Sequence, residues 1–211
     1  MTTTMRIPLL PLLLALSLAP LAPLGAQSPT PLDAAQRAEF VQRLTHTAQR
    51  TQRLECDFEQ RRHVSVLTEA ALSEGRMAFE APSSLSWEYT KPQPLRISLH
   101  NGQCQLSNAQ GAMSIAPQAQ RMLQSLAQLI GGLVDGTALA NPKMFDTELL
   151  DLHNGKTLAR LTPKQTKLRR LYQRIEMEVD NTTMRSTTVR LHEPSGDYTE
   201  IAFSRIITTN Q

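Results

Sequence analysis

Aromatic side chains are scarce in this 211-residue chain: one tryptophan, three tyrosines and five phenylalanines, 4% of the residues. Cysteine is scarcer still, at two residues, and strong charge of either sign is missing, the formal net charge being +3. So mild a basic balance gives no footing for nucleic acid. The five histidines (His46, His63, His100, His153 and His192) have no histidine or cysteine at metal-ligand spacing, and His100 and His153 each precede an Asn-Gly pair. The chain has no Gly-rich phosphate loop, no GxSxG elbow and no cysteine in a nucleophile context. It also shows no fixed-period repeat and no βαβ pattern. These absences point away from an enzyme and from any metal or cofactor, and toward a protein that binds.

What is present begins with a leader. Arg6 precedes an apolar run from Ile7 to Leu24 that ends in Gly25 and Ala26, the layout of a secretory signal peptide cleaved after Ala26. Pro8, Pro11, Pro20 and Pro23 argue against a membrane-spanning helix, since each interior proline costs about 3 kcal/mol. The first cysteine is Cys56, so no cysteine stands at the new N-terminus to carry a lipid, and residues 27–211 are expected as one soluble exported domain. In an oxidising compartment Cys56 and Cys104 can form one disulfide or remain two buried thiols; both fall in expected strands on apolar faces.

Thr30, Pro31 and Asp33 read as a helix start, and Ala34, Ala38, Val41, Leu44 and Ala48 follow at helical spacing, predicting an amphipathic helix over 32–51. From Leu54 the period changes to two. Leu54, Cys56 and Phe58 alternate with charged residues; Met77, Phe79 and Ala81 do the same, as do Leu85, Trp87 and Tyr89, then Leu95, Ile97 and Leu99. Asn101-Gly102 and Asn154-Gly155 suit tight hairpins. Further strands are expected at 104–106, 113–115, 144–152, 156–162, 171–180, 185–192 and 198–207, the last two joined by EPSGD (193–197). Met122, Leu126, Leu129 and Leu133 restore a helical period over 118–140. The basic run KQTKLRR (164–170) reads as a solvated loop, and Glu176, Glu178 and Asp180 as a solvated strand face. About ten short strands in a meander curl into a barrel-like sheet, with helices covering its outside or its mouth.

Several of these stretches, in order, make the chain resemble the periplasmic outer-membrane lipoprotein carrier family, LolA: LxCxFxQ (54–60), the Gly75 strand running into Pro82, LSW (85–87) with Pro92 behind it, Asn101-Gly102, LTPK (161–164) and IAFSRI (201–206). The resemblance implies an open, incomplete antiparallel β-barrel of about 10–11 strands, with an N-terminal helix and a central helical lid. It implies a monomer that receives acyl chains of lipoproteins from an inner-membrane ABC transporter and hands them to an outer-membrane acceptor. The alternative use of such a fold is lipid or glycolipid binding or stress sensing in the periplasm. By the resemblance Phe58, Leu85 and Trp87 line the cavity. Alternation adds Met77, Phe79, Tyr89, Ile97 and Leu99, and lid position adds Met122, Leu126, Leu129 and Ile130. Many members of the family carry arginine or lysine before the proline that is Pro82, where it helps latch the lid. Here that residue is Ala81, which leaves Arg61, Arg62 or Arg76 as substitutes, or a looser lid.

Overall fold

The computed structural model describes residues 27–82, 84–114, 116, 120, 139 and 141–210. The expected leader and nearly all of the expected central helices fall outside them, Met122, Leu126, Leu129 and Ile130 included.

Chain entry differs from the sequence expectation. Thr30–Pro31 is a two-residue strand, β1, rather than the start of a helix. The helix α1 spans Ala34–Arg50, and its N-cap is Asp33, whose carboxylate accepts from the Gln36 N–H while Gln36 Oε1 accepts from the Asp33 N–H. This reciprocal pair satisfies two of the first turn's free donors, and a threonine three residues earlier cannot reach them. The buried stripe is Phe40, Leu44 and Ala48, while Ala34 and Ala38 are exposed. Burial follows apolar area, and the large Phe40 outweighs the small residues that shared its period.

Helix α1 runs directly into a strand. The strands are β2 (Thr51–His63), β3 (Ala71–Glu80), β4 (Ser84–Lys91), β5 (Leu95–His100), β6 (Gln103–Asn108), β7 (Gly111–Met113), β8 (Phe145–Asp151) and β9 (Lys156–Pro163). A four-residue helix, α2 (Thr166–Arg169), interrupts the basic run and rests Leu168 against the core. Then follow β10 (Arg174–Asp180), β11 (Arg185–His192) and β12 (Tyr198–Asn210). Because α2 and its turn use the residues up to 173, β10 begins three residues later than the alternation suggested.

All twelve strands form one antiparallel sheet in the order β1-β8-β9-β10-β11-β12-β2-β3-β4-β5-β6-β7. The end strands β1 and β7 do not pair, so the sheet stays open, as expected for an incomplete barrel. The strand beyond those expected is the short edge piece β1, while β7 begins two residues before the strand expected at 113–115. Two apolar clusters lie on the sheet. One gathers Phe40 and Leu44 of α1 over β8–β11, around Phe145, Leu161, Ile175, Met177 and Val179. The other belongs to β2–β6 and β12.

The opposite face is polar but less simply solvated than alternation implied. Glu176 is a hub: His192 Nε2 lies 3.0 Å from one carboxylate oxygen, and Arg160 Nε and Arg174 Nε each lie 3.2 Å from the other. Its side chain is 13% exposed. Burial alone would raise its pKa, yet the bonds from His192 and Arg160 and the charge of Arg174 hold it below the usual carboxylate value. A carboxyl depressed in the folded state contributes stability above its unfolded pKa and loses it as pH falls through the folded one. Glu176→Gln should therefore cost about 1–3 kcal/mol at neutral pH. Urea melts of both proteins should show that gap narrowing at acid pH, and an unchanged gap would contradict the role.

Candidate functional site

The apolar face of β2–β6 is assembled row by row. Cys56 stands opposite Met77, Met77 opposite Trp87, and Trp87 opposite Ile97. In the next row Leu54, Phe79, Leu85, Leu99 and Cys104 are neighbours across five strands. In a third, Phe58 faces Gly75, which faces Tyr89. In a pleated sheet such opposite residues project to one side, so one register serves all eight sheet residues singled out above. Phe58, Met77, Phe79, Leu85, Trp87 and Leu99 are buried, and Tyr89 and Ile97 half-buried.

Aromatic contacts organise the centre of this wall. The Phe58 and Trp87 rings stack with centroids 4.2 Å apart, and Tyr89 meets Phe58 edge-on at 5.4 Å. Phe203, opposite Phe58 on β12, meets Trp87 edge-on at 6.2 Å. The Tyr89 hydroxyl donates to Gln60 Oε1 at 2.9 Å, so its polar end is tied to β2 while its ring stays in the wall. Trp87 Nε1 is buried with no hydrogen-bond partner among the described residues. Gly75 makes the stacking possible: a Cβ there would lie 2.5 Å from Phe58 Cζ and 2.0 Å from the Glu88 carbonyl oxygen.

The two cysteines are free and buried, on β2 and β6, with β3, β4 and β5 between them. At about 4.8 Å per strand spacing they are well beyond the reach of a disulfide. Burial pushes the Cys56 thiol up to about 12 and raises that of Cys104 as well, so both act as small apolar wall residues.

Where the two apolar clusters meet, a cavity of about 30 Å³ opens between α1, β2, β3, β10, β11 and β12. Met77, Met177 and Met184 line it together with Leu54, Cys56 and Phe203, and so do Arg185 and Ser186. The alternation of β10 and the IAFSRI stretch had marked the strands that supply Met177 and Phe203, but not their convergence on this point. Nothing in the sequence singles out Arg185: its hydrogen-bond partner among the described residues, Thr51, is 134 residues away.

The candidate latch residues are engaged with acids of the sheet and its turns. Arg61 pairs with Glu59 at 2.7 Å, Arg62 with Glu193 at 2.7 Å, and Arg76 lies 3.7 Å from Asp57. Each histidine with a described neighbour has a structural contact: His63 stacks on Tyr198, His100 pairs with Ser84, His153 with Thr30, and His192 with Glu176. Among the described residues no three His, Cys, Asp or Glu side chains could hold a metal ion, and no helix is long and apolar enough to cross a membrane.

Comparison with known proteins agrees in family. The family model described as outer membrane lipoprotein carrier protein LolA matches residues 49–211. No curated protein matches the chain. Similar solved structures include a LolA superfamily protein from Nitrosomonas europaea, at 11% identity and TM-score 0.41, covering 81% of this chain and 94% of that one. LprF from Mycobacterium bovis aligns at 12% identity and TM-score 0.39, covering 84% and 94%. The Pseudomonas aeruginosa MucA/MucB complex aligns at 14% identity and TM-score 0.47 over 81% of this chain, which spans 56% of that chain.

Gly75→Ala tests the wall directly. The backbone carbonyl of Glu88 cannot yield easily, so the substitution should cost at least about 1–3 kcal/mol. A lower urea midpoint accompanied by changed Trp87 fluorescence is expected. A neutral effect on both would show that Phe58 does not rest on this glycine.

Proposed function

The chain belongs to the outer membrane lipoprotein carrier protein LolA family, and on that premise we propose that it is a periplasmic carrier that shelters acyl chains of lipoproteins between the two membranes. It would take them from an inner-membrane ABC transporter and give them to an outer-membrane acceptor. The observation that carries this reading is the wall. Phe58, Phe79, Trp87, Tyr89 and Phe203, more than half the aromatics of an aromatic-poor chain, gather on one face of an open sheet.

The energetics favour such a use. Each acyl CH₂ left in water costs about 0.8 kcal/mol, so a lipid-modified protein does not cross an aqueous space unaided. A carrier must shield the chains yet let them go, and it does so by binding without chemical conversion. An open sheet suits this because its apolar face is already assembled, so little ordering is required at the moment of binding. The polar tether of Tyr89 to Gln60 keeps one edge of the wall fixed while the rings make sequence-blind contact with chains. Methionines at the junction adapt to cargo of different shape.

Purified mature protein should bind a neutral apolar fluorophore at micromolar concentration, and acylated lipoprotein should displace it. Trp87→Ala, which removes the ring stacked on Phe58, should weaken that binding by about tenfold, equivalent to roughly 1.4 kcal/mol. Photo-crosslinking from position 79 in cells, with the captured species identified by mass, tests the cargo. Recovery of a glycolipid or of an inner-membrane signalling protein in place of lipoproteins would replace this reading with the lipid-binding or stress-sensing one. Failure to bind any apolar ligand would end the carrier reading.

A further inference from the structure

The cavity between the two apolar clusters is lined by a charge that the wall does not need. Arg185 is only 9% exposed, in the turn of chain where β11 begins. Met184, just before it, has a left-handed backbone (φ 54°), and a register shift separates Val179 from Glu178 opposite β11. These irregularities bring both Arg185 and its neighbour Ser186 to the cavity between the apolar clusters, although consecutive strand residues normally point to opposite faces.

Little answers that charge. Of the five N–H donors of a guanidinium, one makes a hydrogen bond among the described residues, to Thr51 Oγ1 at 2.7 Å. The Thr51 hydroxyl in turn donates to the Thr47 carbonyl at the end of α1, so the helix terminus supplies part of a counter-charge. No carboxylate among the described residues pairs with Arg185. Asp180, its register neighbour, instead accepts from the N–H groups of Thr182 and Thr183 in the turn. Burial pulls the Arg185 pKa below the usual guanidinium value. Beside it, Ser186 Oγ is buried with no hydrogen-bond partner among the described residues. A buried charge kept without a counter-ion costs several kcal/mol, and an unpaired hydroxyl adds to that.

We propose that Arg185 and Ser186 form a head-group site for the carboxylate of an acyl ligand whose chain lies on the apolar wall. This deepens the carrier reading and rests on it: the pocket takes an acidic lipid and not only neutral acyl chains. Size and chemistry agree. A cavity of about 30 Å³ has room for two water-sized groups, which suits two carboxylate oxygens. Guanidinium offers the paired donors that a carboxylate accepts, and Ser186 Oγ adds a third. Beyond that point Cys56, Met77 and Trp87 stand in one apolar row across β2, β3 and β4.

The test uses the mature protein, a neutral apolar fluorophore and three competitors: palmitate, hexadecanol and lysophosphatidylglycerol. Palmitate should displace the probe at least about tenfold more tightly than hexadecanol, the contribution of one charge-assisted contact. Arg185→Gln should remove that preference while leaving hexadecanol within twofold, and Arg185→Lys should keep part of it. Thermal melts identify a variant that fails to fold, and in that event the comparison of palmitate with hexadecanol in the unmodified protein decides. Equal affinities there, a preference that survives in Arg185→Gln, or tighter binding of lysophosphatidylglycerol than of palmitate would overturn the carboxylate site. Hexadecanol binding without a palmitate preference leaves the carrier reading standing, whereas no displacement by any competitor and no probe binding would remove both.

Discussion

Strand register is the constraint on which the rest of this protein depends. Side chains alternate at period two along every strand, so an apolar face survives across twelve strands only if each antiparallel pairing is in step with the next. A slip of one residue between β3 and β4 would turn Trp87, Leu85 and Tyr89 outward and put Ser86 and Glu88 against Met77 and Phe79. Charged outer faces oppose that slip. Lys91 of β4 pairs with Glu74 of β3 at 2.9 Å, and Arg96 with Glu88 at 2.6 Å across the next boundary. Such exposed pairs contribute little stability singly. Their value here lies in agreeing with the apolar rows about which register is right.

An open sheet with one apolar face is a poor arrangement for stability alone, since a closed barrel or a sandwich would bury that face without help. The chain resolves this differently on its two halves. Over β8–β11 the face is filled by α1, with Phe40 and Leu44 inserted and Arg37 and Arg43 bonded to backbone carbonyls of Thr147 and Asn181. That half is a conventional core. Over β2–β6 the aromatic rings cover one another, and Gly75 gives up its side chain so that Phe58 can lie flat against the strand. The division gives one half a helix-covered core and, in the proposed carrier, leaves ligand contact to the other.

Much of this was legible in the residues, and the failures have identifiable causes. LSWEY on β4 and LECDF on β2 alternate so cleanly that their shared face followed from spacing alone. The helix was found, but its stripe was misassigned because small alanines at the right period competed with Phe40, and area decides burial where period does not. Its cap was displaced because Thr30 and Asp33 both carry the right chemistry; only the reciprocal bond with Gln36 separates them. Glu176 looked like surface since its partners Arg160 and His192 come from other strands. The cysteines left two outcomes open until strand order set three strands between them.

Arg185 marks the limit of that legibility and the reason for it. A local pattern can report which face a residue takes in a regular strand, but here a left-handed Met184 and a bulge break the rule just where it would be applied. The resulting placement is expensive for the fold, and nothing in the described neighbourhood repays it fully. Irregular backbone and an under-compensated charge together, at the seam between a filled half-core and an aromatic wall, are hard to explain as packing. They make sense if the seam is where a ligand's polar end has to stop while its chain runs on over Met77 and Trp87. On that account the same residue that weakens the empty fold orients an acidic lipid, and the stability lost at the seam returns only when the site is filled.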